Sequence, residues 1–494
     1  MRKLIFLFLL VLGTAVAQSG TLEIAVDQQP VGLDPHIATA FSSRNVYDQI
    51  YDGLLEVNAG LQLEPALAES FSVSDDGLTY RFVLRDGISF HNGRALTSED
   101  VVYSYERVMA EETGSPQASR FTGVASVIAI DDRTVEFTLA EAFAPFLANV
   151  PNLKIVPQEV VEANGDLQQV AVGTGPFVLK EFVPDTFFLL EANPNYYREG
   201  QPGVAALKFN VVADSSTRAA GLRTGTFHFV PAVDFATAEI LRGQSGVTLV
   251  GTQDLAYSLL GINTTRPPLN NAVVREAINL AIDRDEIVEA AYFGNALPGG
   301  PLSPGLTDWA LDTGEYSCYR HDADAARELL ANAGAEGFEL EIITFGTMQI
   351  VLDVAQIVQA QLKDAGIDAT LTVEEFGNFV QRWRNSDFDA FVSLNGGNID
   401  PDGYLFRTFH SGGSTNVFKY DNVAIDALLE AGRINTASKT RQDVYSQIQR
   451  LLACDGPIAH VAYGTLFTAH RDNVNGFQPV PDRSLRYLRT VTLE

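Results

Sequence analysis

The sequence has 494 residues, of which 46% are hydrophobic and 19% are charged, a composition typical of globular proteins and not of disordered ones. Because single hydrophobic cores stop growing near ~250–300 residues, this length predicts two large lobes. The formal net charge of −28 disfavours nucleic acid and anionic lipid as partners, since both repel an acidic surface.

The chain begins with a segment typical of export. Met1-Arg2-Lys3 is followed by an apolar run over Leu4–Leu12 and by small residues at Ala15 and Ala17, which predicts a signal peptide cleaved after Ala17. The run is too short for a membrane anchor, which needs about 20 apolar residues. The mature protein is therefore expected outside the cytoplasm.

The first half predicts a mixed α+β lobe with many strands. Thr21–Val26 is typical of a strand, and Ser42 or Ser43 opens a helix. Thr97 followed by Asp100 predicts a capped helix start inside a strand-rich stretch near residues 56–170.

The second half alternates strands with helices. Phe338–Phe345, Val351–Ala365 and Ile367–Val373 predict a βαβ unit, and the strand Phe388–Leu394 extends it. This order indicates a parallel sheet in an α/β lobe. Two thin segments, Asp254–Thr265 and Phe467–Gly476, are interpreted as hinges between the lobes.

The motif search for catalysis is negative. The sequence contains no G-x-S-x-G, H-E-x-x-H, Walker A or G-x-G-x-x-G pattern, and its seven histidines form no i, i+4 pair. No enzyme activity, metal or cofactor is therefore expected. A secreted hydrolase that uses an unrecognised pair of carboxylates stays as an alternative.

One loop is the best local candidate for a ligand site. Asn395, Gly396, Gly397, Asn398 and Asp400 follow a strand of the predicted parallel sheet, and ligands bind at the carboxyl edge of such sheets. The other interpretation is a simple turn into a helix. Aromatic walls are common in ligand clefts, which adds Trp383 and Tyr404 as candidates.

The two cysteines, Cys318 and Cys454, are open to two interpretations. In an oxidising compartment they can pair as a disulfide. They can equally remain two buried free thiols, because sequence alone does not show that their Cα atoms come within bonding distance.

Several blocks in order resemble a known family, the periplasmic dipeptide-, oligopeptide- and nickel-binding proteins, or family 5 extracellular solute-binding proteins. The residues that carry the resemblance are Leu63–Ser70, Asp76–Gly93, Thr97–Val101, Gly173–Phe177, Asn193–Tyr197 and Val274–Arg284.

The resemblance implies a two-lobed periplasmic binding protein-like clamp with an inserted third domain. We expect lobe I to comprise residues 18–55, 171–260 and 472–494, the inserted domain 56–170, and lobe II 261–471. The resemblance further implies a periplasmic component of an ABC importer that delivers a small solute to membrane permease subunits. It adds Thr39, Phe41 and Ser42 as candidate ligand residues on lobe I.

The ligand is predicted to be oligopeptide-like, although two positions depart from the dipeptide binders. The aspartate that pairs with a peptide's amino group in those proteins falls at Gly397, and no Lys or Arg lies between Arg327 and Lys363. These departures disfavour a free-dipeptide clamp. A longer peptide, an opine, an oligosaccharide or a metal complex are the alternatives, and a periplasmic chaperone that binds unfolded chains is a third class.

Overall fold

A computed structural model describes residues 20–38 and 40–494. The predicted signal peptide and Thr39 lie outside the described residues. Within those residues, no helix combines the length and the apolar character that a bilayer crossing requires.

The described chain is an alternation of short strands and helices. In the first third the elements are β1 (Thr21–Val26), α1 (Phe41–Ile50), β2 (Leu55–Val57), β3 (Leu63–Pro65), β4 (Ala68–Val73), β5 (Thr79–Leu84), α2 (Ser98–Met109), β6 (Val124–Asp131), β7 (Thr134–Leu139), α3 (Phe146–Asn149) and α4 (Gln158–Asn164). The middle third contains β8 (Phe177–Val183), β9 (Phe187–Ala192), β10 (Ala206–Val211), α5 (Ser215–Thr224), β11 (Phe229–Val233), α6 (Phe235–Leu241), β12 (Val247–Ile262), α7 (Ala272–Ala281), α8 (Arg284–Tyr292) and β13 (Ala296–Pro298). The last third contains α9 (Ala323–Asn332), β14 (Glu339–Phe345), α10 (Gln349–Asp364), β15 (Asp368–Glu374), α11 (Phe376–Arg384), β16 (Ala390–Asn395), α12 (Asp402–Phe409), α13 (Val423–Ile434), α14 (Ser438–Asp455), β17 (Ile458–Arg471), β18 (Val474–Asn475) and β19 (Thr492–Leu493).

One large sheet runs through the molecule in the order β15-β14-β16-β12-β17-β11-β1-β10-β9-β8, with β13 paired to β17. At one end β14 is parallel to both β15 and β16, as the predicted βαβ unit requires. In the middle, β12 and β17 run antiparallel to each other over most of their length. A separate four-stranded sheet has the order β4-β5-β7-β6.

Three large hydrophobic cores lie along this framework. The first joins residues 22–229 with 474–491, the second lies within residues 54–155, and the third within residues 255–463. The tail of the chain thus packs beside the first strand, while the core of residues 54–155 surrounds the four-stranded sheet.

Local sequence features position the elements as expected at several points. Thr97 and Asp100 form the predicted capping box at the start of α2, where the Thr97 N–H donates to the Asp100 carboxylate at 2.9 Å. Both partners satisfy helix-terminal groups that would otherwise lack a hydrogen bond.

The two segments interpreted as hinges both overlap long strands. Asp254–Thr265 lies mostly inside the 16-residue strand β12, and Phe467–Gly476 overlaps the 14-residue strand β17. The two strands satisfy each other's backbone groups along their shared length, and the role of either segment as a hinge stays a prediction. The ladder between them is interrupted only where the register shifts, between Gln253 and Tyr257 and between Ser258 and Leu259.

Candidate functional site

A cavity of about 260 Å³ lies between the cores, beside the register shifts of β12. Residues from three parts of the chain form its walls. They are residues 254–256 of β12, residues 396–399 of the loop after β16, and a wall from the first third and the tail that includes Phe41, Arg44, Asp48, Asp52, Glu56, Arg120, Lys154, Asp482, Arg483, Arg486 and Arg489.

The loop after β16 approaches β12 so closely that one position in the loop has no room for a side chain. A Cβ at Gly397 would lie 2.3 Å from the Leu255 carbonyl oxygen. At the neighbouring Gly396, a Cβ would have no atom within 4 Å. Gly397 is therefore required by packing against the backbone of β12.

A chain of side-chain hydrogen bonds holds the start of this loop in place. The Asn395 side-chain amide donates to the Tyr257 hydroxyl at 3.1 Å, Tyr257 donates to the Tyr404 hydroxyl, and Tyr404 bonds to Nε2 of His460 at 3.0 Å. Burial lowers the pKa of His460 to about 3. The imidazole is therefore neutral, and its Nε2 accepts the hydrogen bond that the Tyr404 hydroxyl donates, so both tyrosine hydroxyls have an acceptor.

The lobes also touch beside the cavity. The Ala144 N–H donates to the Arg433 carbonyl oxygen at 2.8 Å. The Arg433 guanidinium lies between two rings, 5.2 Å from the centroid of Phe143 and 3.5 Å from that of Phe406. Phe143 belongs to the core of residues 54–155, whereas Phe406 and Arg433 lie on α12 and α13. These contacts join the core of residues 54–155 to the core of residues 255–463.

Comparison with known proteins decides the family. The family model for bacterial extracellular solute-binding proteins, family 5, matches residues 62–416. The chain belongs to this family.

Curated relatives and solved structures of family 5 cover nearly all of the chain. The protein named "Probable di/tripeptide-binding protein 5" of Pseudomonas aeruginosa is 30% identical over 94% of each chain. A glutathione-binding protein of Salmonella typhi is 27% identical over 94% of this chain and 93% of its own. The periplasmic binding protein DppA of Helicobacter pylori, solved in complex with the peptide STSA, is 29% identical, with a TM-score of 0.81 over 97% of this chain and 98% of that one.

This family 5 protein accordingly has the two-lobed α/β binding-protein fold, and it is a solute-binding component of the ABC-importer type. The expected fold class and function are confirmed. The family consists of solute-binding proteins that lie outside the cytoplasm.

Some of the predicted site residues line the cavity and others do not. Phe41, Gly396, Gly397 and Asn398 are part of its wall. Ser42 is buried next to Phe41 and is not part of the wall. The roles of these residues in ligand binding stay predictions.

The remaining candidates are held inside lobe II. Asp400 is buried and accepts two hydrogen bonds from the Arg441 guanidinium, at 2.8 and 2.9 Å. Tyr404 is 3% exposed within the core, and Trp383 packs on the outside of the same core. Neither these three residues nor Asn395 belong to the cavity wall, and their roles in ligand binding stay predictions.

Cys318 and Cys454 are joined in a disulfide. The bond lies in a small cluster with Tyr316, Tyr319 and Ala453, at the end of α14. It connects segments of lobe II that are 136 residues apart and does not reach the cavity wall.

The charged residues of the wall were not predicted from the sequence. Six basic and five acidic side chains line the cavity, and they come from positions as far apart as Arg44 and Arg489. No motif links them, because loops of different cores bring them together. The only local indication was their proximity to Phe41 in the first helix.

Most of these charges are paired with one another. Asp48 accepts from Lys154 at 3.0 Å and from Arg44 at 3.3 Å. Burial opposes ionisation of Asp48, but Lys154 and Arg44 outweigh it and hold the pKa of the carboxyl well below its usual range. By contrast, burial raises the pKa of Asp52, although Arg489 and Lys154 act in the other direction.

Proposed function

We propose that this protein captures a small peptide-like solute, of about tripeptide size, in the cavity and delivers it to permease subunits in the inner membrane. The observation that carries the proposal is the position of the cavity, whose wall combines residues of the first third and the tail of the chain with residues 254–256 of β12 and 396–399 of the loop after β16. A solute held there contacts both lobes at once, so it stabilises the closed arrangement through its differential affinity for it.

The size and charge of the cavity support a small zwitterionic ligand. Its volume of about 260 Å³ is near the lower end of small-molecule sites, which span ~300–1,000 Å³. Eleven ionisable side chains in the wall favour a charged solute over an apolar one. The di/tripeptide- and glutathione-binding relatives agree with this class. An opine has similar chemistry and is the second candidate.

We propose that the lobes predicted from the sequence are the rigid units that move relative to each other when the protein closes. Lobe I then comprises residues 18–55, 171–260 and 472–494, with the inserted domain at 56–170, and lobe II comprises 261–471. The register shifts between Gln253 and Leu259 are the natural place for rotation, since few ladder bonds must change there. The periplasmic location and signal-peptide cleavage after Ala17 belong to the same proposal.

Calorimetric titration of the purified mature protein with dialanine, trialanine and glutathione tests the proposal. We expect saturable one-to-one binding of at least one of them. Recovery of the bound peptide intact, by mass spectrometry after prolonged incubation, separates binding from hydrolysis. Cleavage of the peptide refutes the non-catalytic role, and an absence of binding by all three refutes the peptide class.

A further inference from the structure

The inserted domain also contacts lobe II at a place outside the cavity. Two turns of the inserted domain take part, the hairpin turn of residues 74–78 between β4 and β5 and the segment of residues 142–144 after β7. On lobe II they meet Arg433, in the last turn of α13, and Thr436, which follows that helix. These residues do not belong to the cavity wall, so the contact is separate from the solute site.

Gly77 shows how closely the hairpin turn approaches lobe II. Its N–H donates to the Ser74 carbonyl oxygen at 2.9 Å, which closes the turn. The preceding Asp75 and Asp76 are exposed, yet Gly77 is buried. The first atom that a Cβ at Gly77 would meet is Cγ2 of Thr436, at 2.9 Å. A residue of lobe II therefore covers the tip of a turn of the inserted domain.

The second part of the contact is a cation held beside an aromatic ring. The Arg433 guanidinium donates to the buried Asp402 carboxylate at 3.0 and 3.3 Å, so its position is fixed within lobe II. The Phe143 ring of the inserted domain lies 5.2 Å from this guanidinium, within the range of a cation–π interaction. The Ala144 N–H donates to the Arg433 carbonyl oxygen at 2.8 Å.

This contact is built to separate at low cost. When the two sides part, Arg433 keeps its carboxylate partner on lobe II, so no buried charge loses its counter-ion. The Ala144 N–H and the Arg433 carbonyl oxygen can then bond to water, which replaces most of the energy of their hydrogen bond. Such an interface suits a contact that forms and breaks.

We propose that residues 74–78, 142–144, 433 and 436 form a latch, which engages when the lobes close and holds them closed from outside the cleft. This inference rests on the proposed function and adds a device that retains the solute without touching it. A contact that exists only in the closed arrangement lowers the free energy of that arrangement. It therefore slows the release of a bound solute, whatever the chemistry of the solute.

A disulfide across the latch tests whether the two sides meet. A Cβ at position 77 lies 2.9 Å from a methyl carbon of Thr436, so the pair Gly77→Cys/Thr436→Cys comes within reach of a disulfide. We expect this pair to cross-link under mild oxidation without added solute, as detected by peptide mass mapping. Gly87→Cys/Thr436→Cys is the matched control, because Gly87 also has a positive φ but a Cβ there meets no atom within 4 Å. Failure of the first pair to cross-link overturns the proposal, as does equal cross-linking of the control.

Small-angle X-ray scattering then tests whether the contact opens. The cross-linked variant is compared with the native protein, again without solute, and we expect a smaller radius of gyration for the cross-linked variant. Equal radii overturn the latch, because the contact is then a permanent joint. Since no solute is used, this result does not depend on the peptide class of the proposed function.

The rate of solute release measures what the latch contributes to binding. Phe143→Leu is expected to speed up the release of trialanine about two- to fivefold in stopped-flow experiments, because the cation–π contact is lost. Phe71→Leu is the matched control, since Phe71 packs on the same core and stacks on Phe82. Unchanged release from Phe143→Leu overturns the retaining role. If trialanine does not bind, the peptide class fails, and cross-linking and scattering alone decide on the latch.

Discussion

Replacing Gly397 by alanine tests whether the loop of the cavity wall is packed as tightly against β12 as the structure indicates. The added Cβ would lie 2.3 Å from the Leu255 carbonyl oxygen, and ordinary contact begins at 3.4 Å, so the two backbones must separate by about 1 Å. Pairing of Tyr257 with Asn395 in the adjoining ladder resists this movement. Forcing an extra methyl group into a packed site costs about 1–3 kcal/mol.

Thermal unfolding of the purified protein, followed by circular dichroism, measures this cost. For a unit of the size of lobe II, Gly397→Ala is expected to lower the Tm by about 2–12 °C, since each kcal/mol corresponds to ~2–4 °C. Gly396→Ala is the matched control, because a Cβ there meets no atom within 4 Å. Equal Tm values for the two variants would refute the reasoning, and with it the packing explanation for glycine at position 397.

Three further predictions concern stability. Arg441→Ala is expected to destabilise lobe II by about 3–5 kcal/mol, because it leaves the buried Asp400 carboxylate without its partner. Burial lowers the pKa of His36 to about 4, below the ~6.5 of a histidine in the unfolded chain. Between pH 6.5 and pH 4 the folded state therefore binds fewer protons than the unfolded state. As a result, about 3 kcal/mol of stability is lost as the pH falls from 6.5 to 4. The disulfide between Cys318 and Cys454 closes a loop of 136 residues, and its reduction is expected to lower stability by roughly 2–5 kcal/mol.

Each of the three has a direct check. Chemical denaturation should show a far smaller change for Arg450→Ala, whose pair with Glu315 is exposed, and a similar change for both arginine variants would contradict the first prediction. His36→Gln should flatten the fall in Tm below pH 6.5, and an unchanged slope speaks against the second. Thiol titration of the denatured, unreduced protein should find no free thiol, and two free thiols exclude the disulfide.

Elements with a regular apolar pattern could be predicted from the sequence alone. The bounds of β1 agree with the predicted strand, and those of β14, α10 and β15 lie within two residues of the predicted βαβ unit, because alternation or helical spacing starts and stops within each of them. The capping pair Thr97 and Asp100 is equally local. Such features depend on neighbours in the sequence and therefore show in it.

The long strands β12 and β17 could not be predicted from a local apolar pattern. β12 and β17 have 16 and 14 residues, well beyond the usual strand of about 5–6, and each passes from one core to another. Their surroundings change along their length, so no single alternation covers them. Pairing between segments some 200 residues apart makes them continuous.

In the candidate site, too, some residues could be predicted from local sequence and others depend on the tertiary fold. Gly396, Gly397 and Asn398 could be predicted as candidates because they follow a strand of a parallel sheet, and they line the cavity. Asp400 and Tyr404 are adjacent to them in sequence but face the core of lobe II. Arg120 also lines the cavity and could not be predicted, because only the tertiary fold brings it there.

Small-angle X-ray scattering of the purified protein, with and without a saturating peptide identified by calorimetry, tests the central claim that the lobes close on a small solute. The account predicts a smaller radius of gyration in the presence of the peptide, reached at one equivalent. Identical scattering curves in the two states would contradict it.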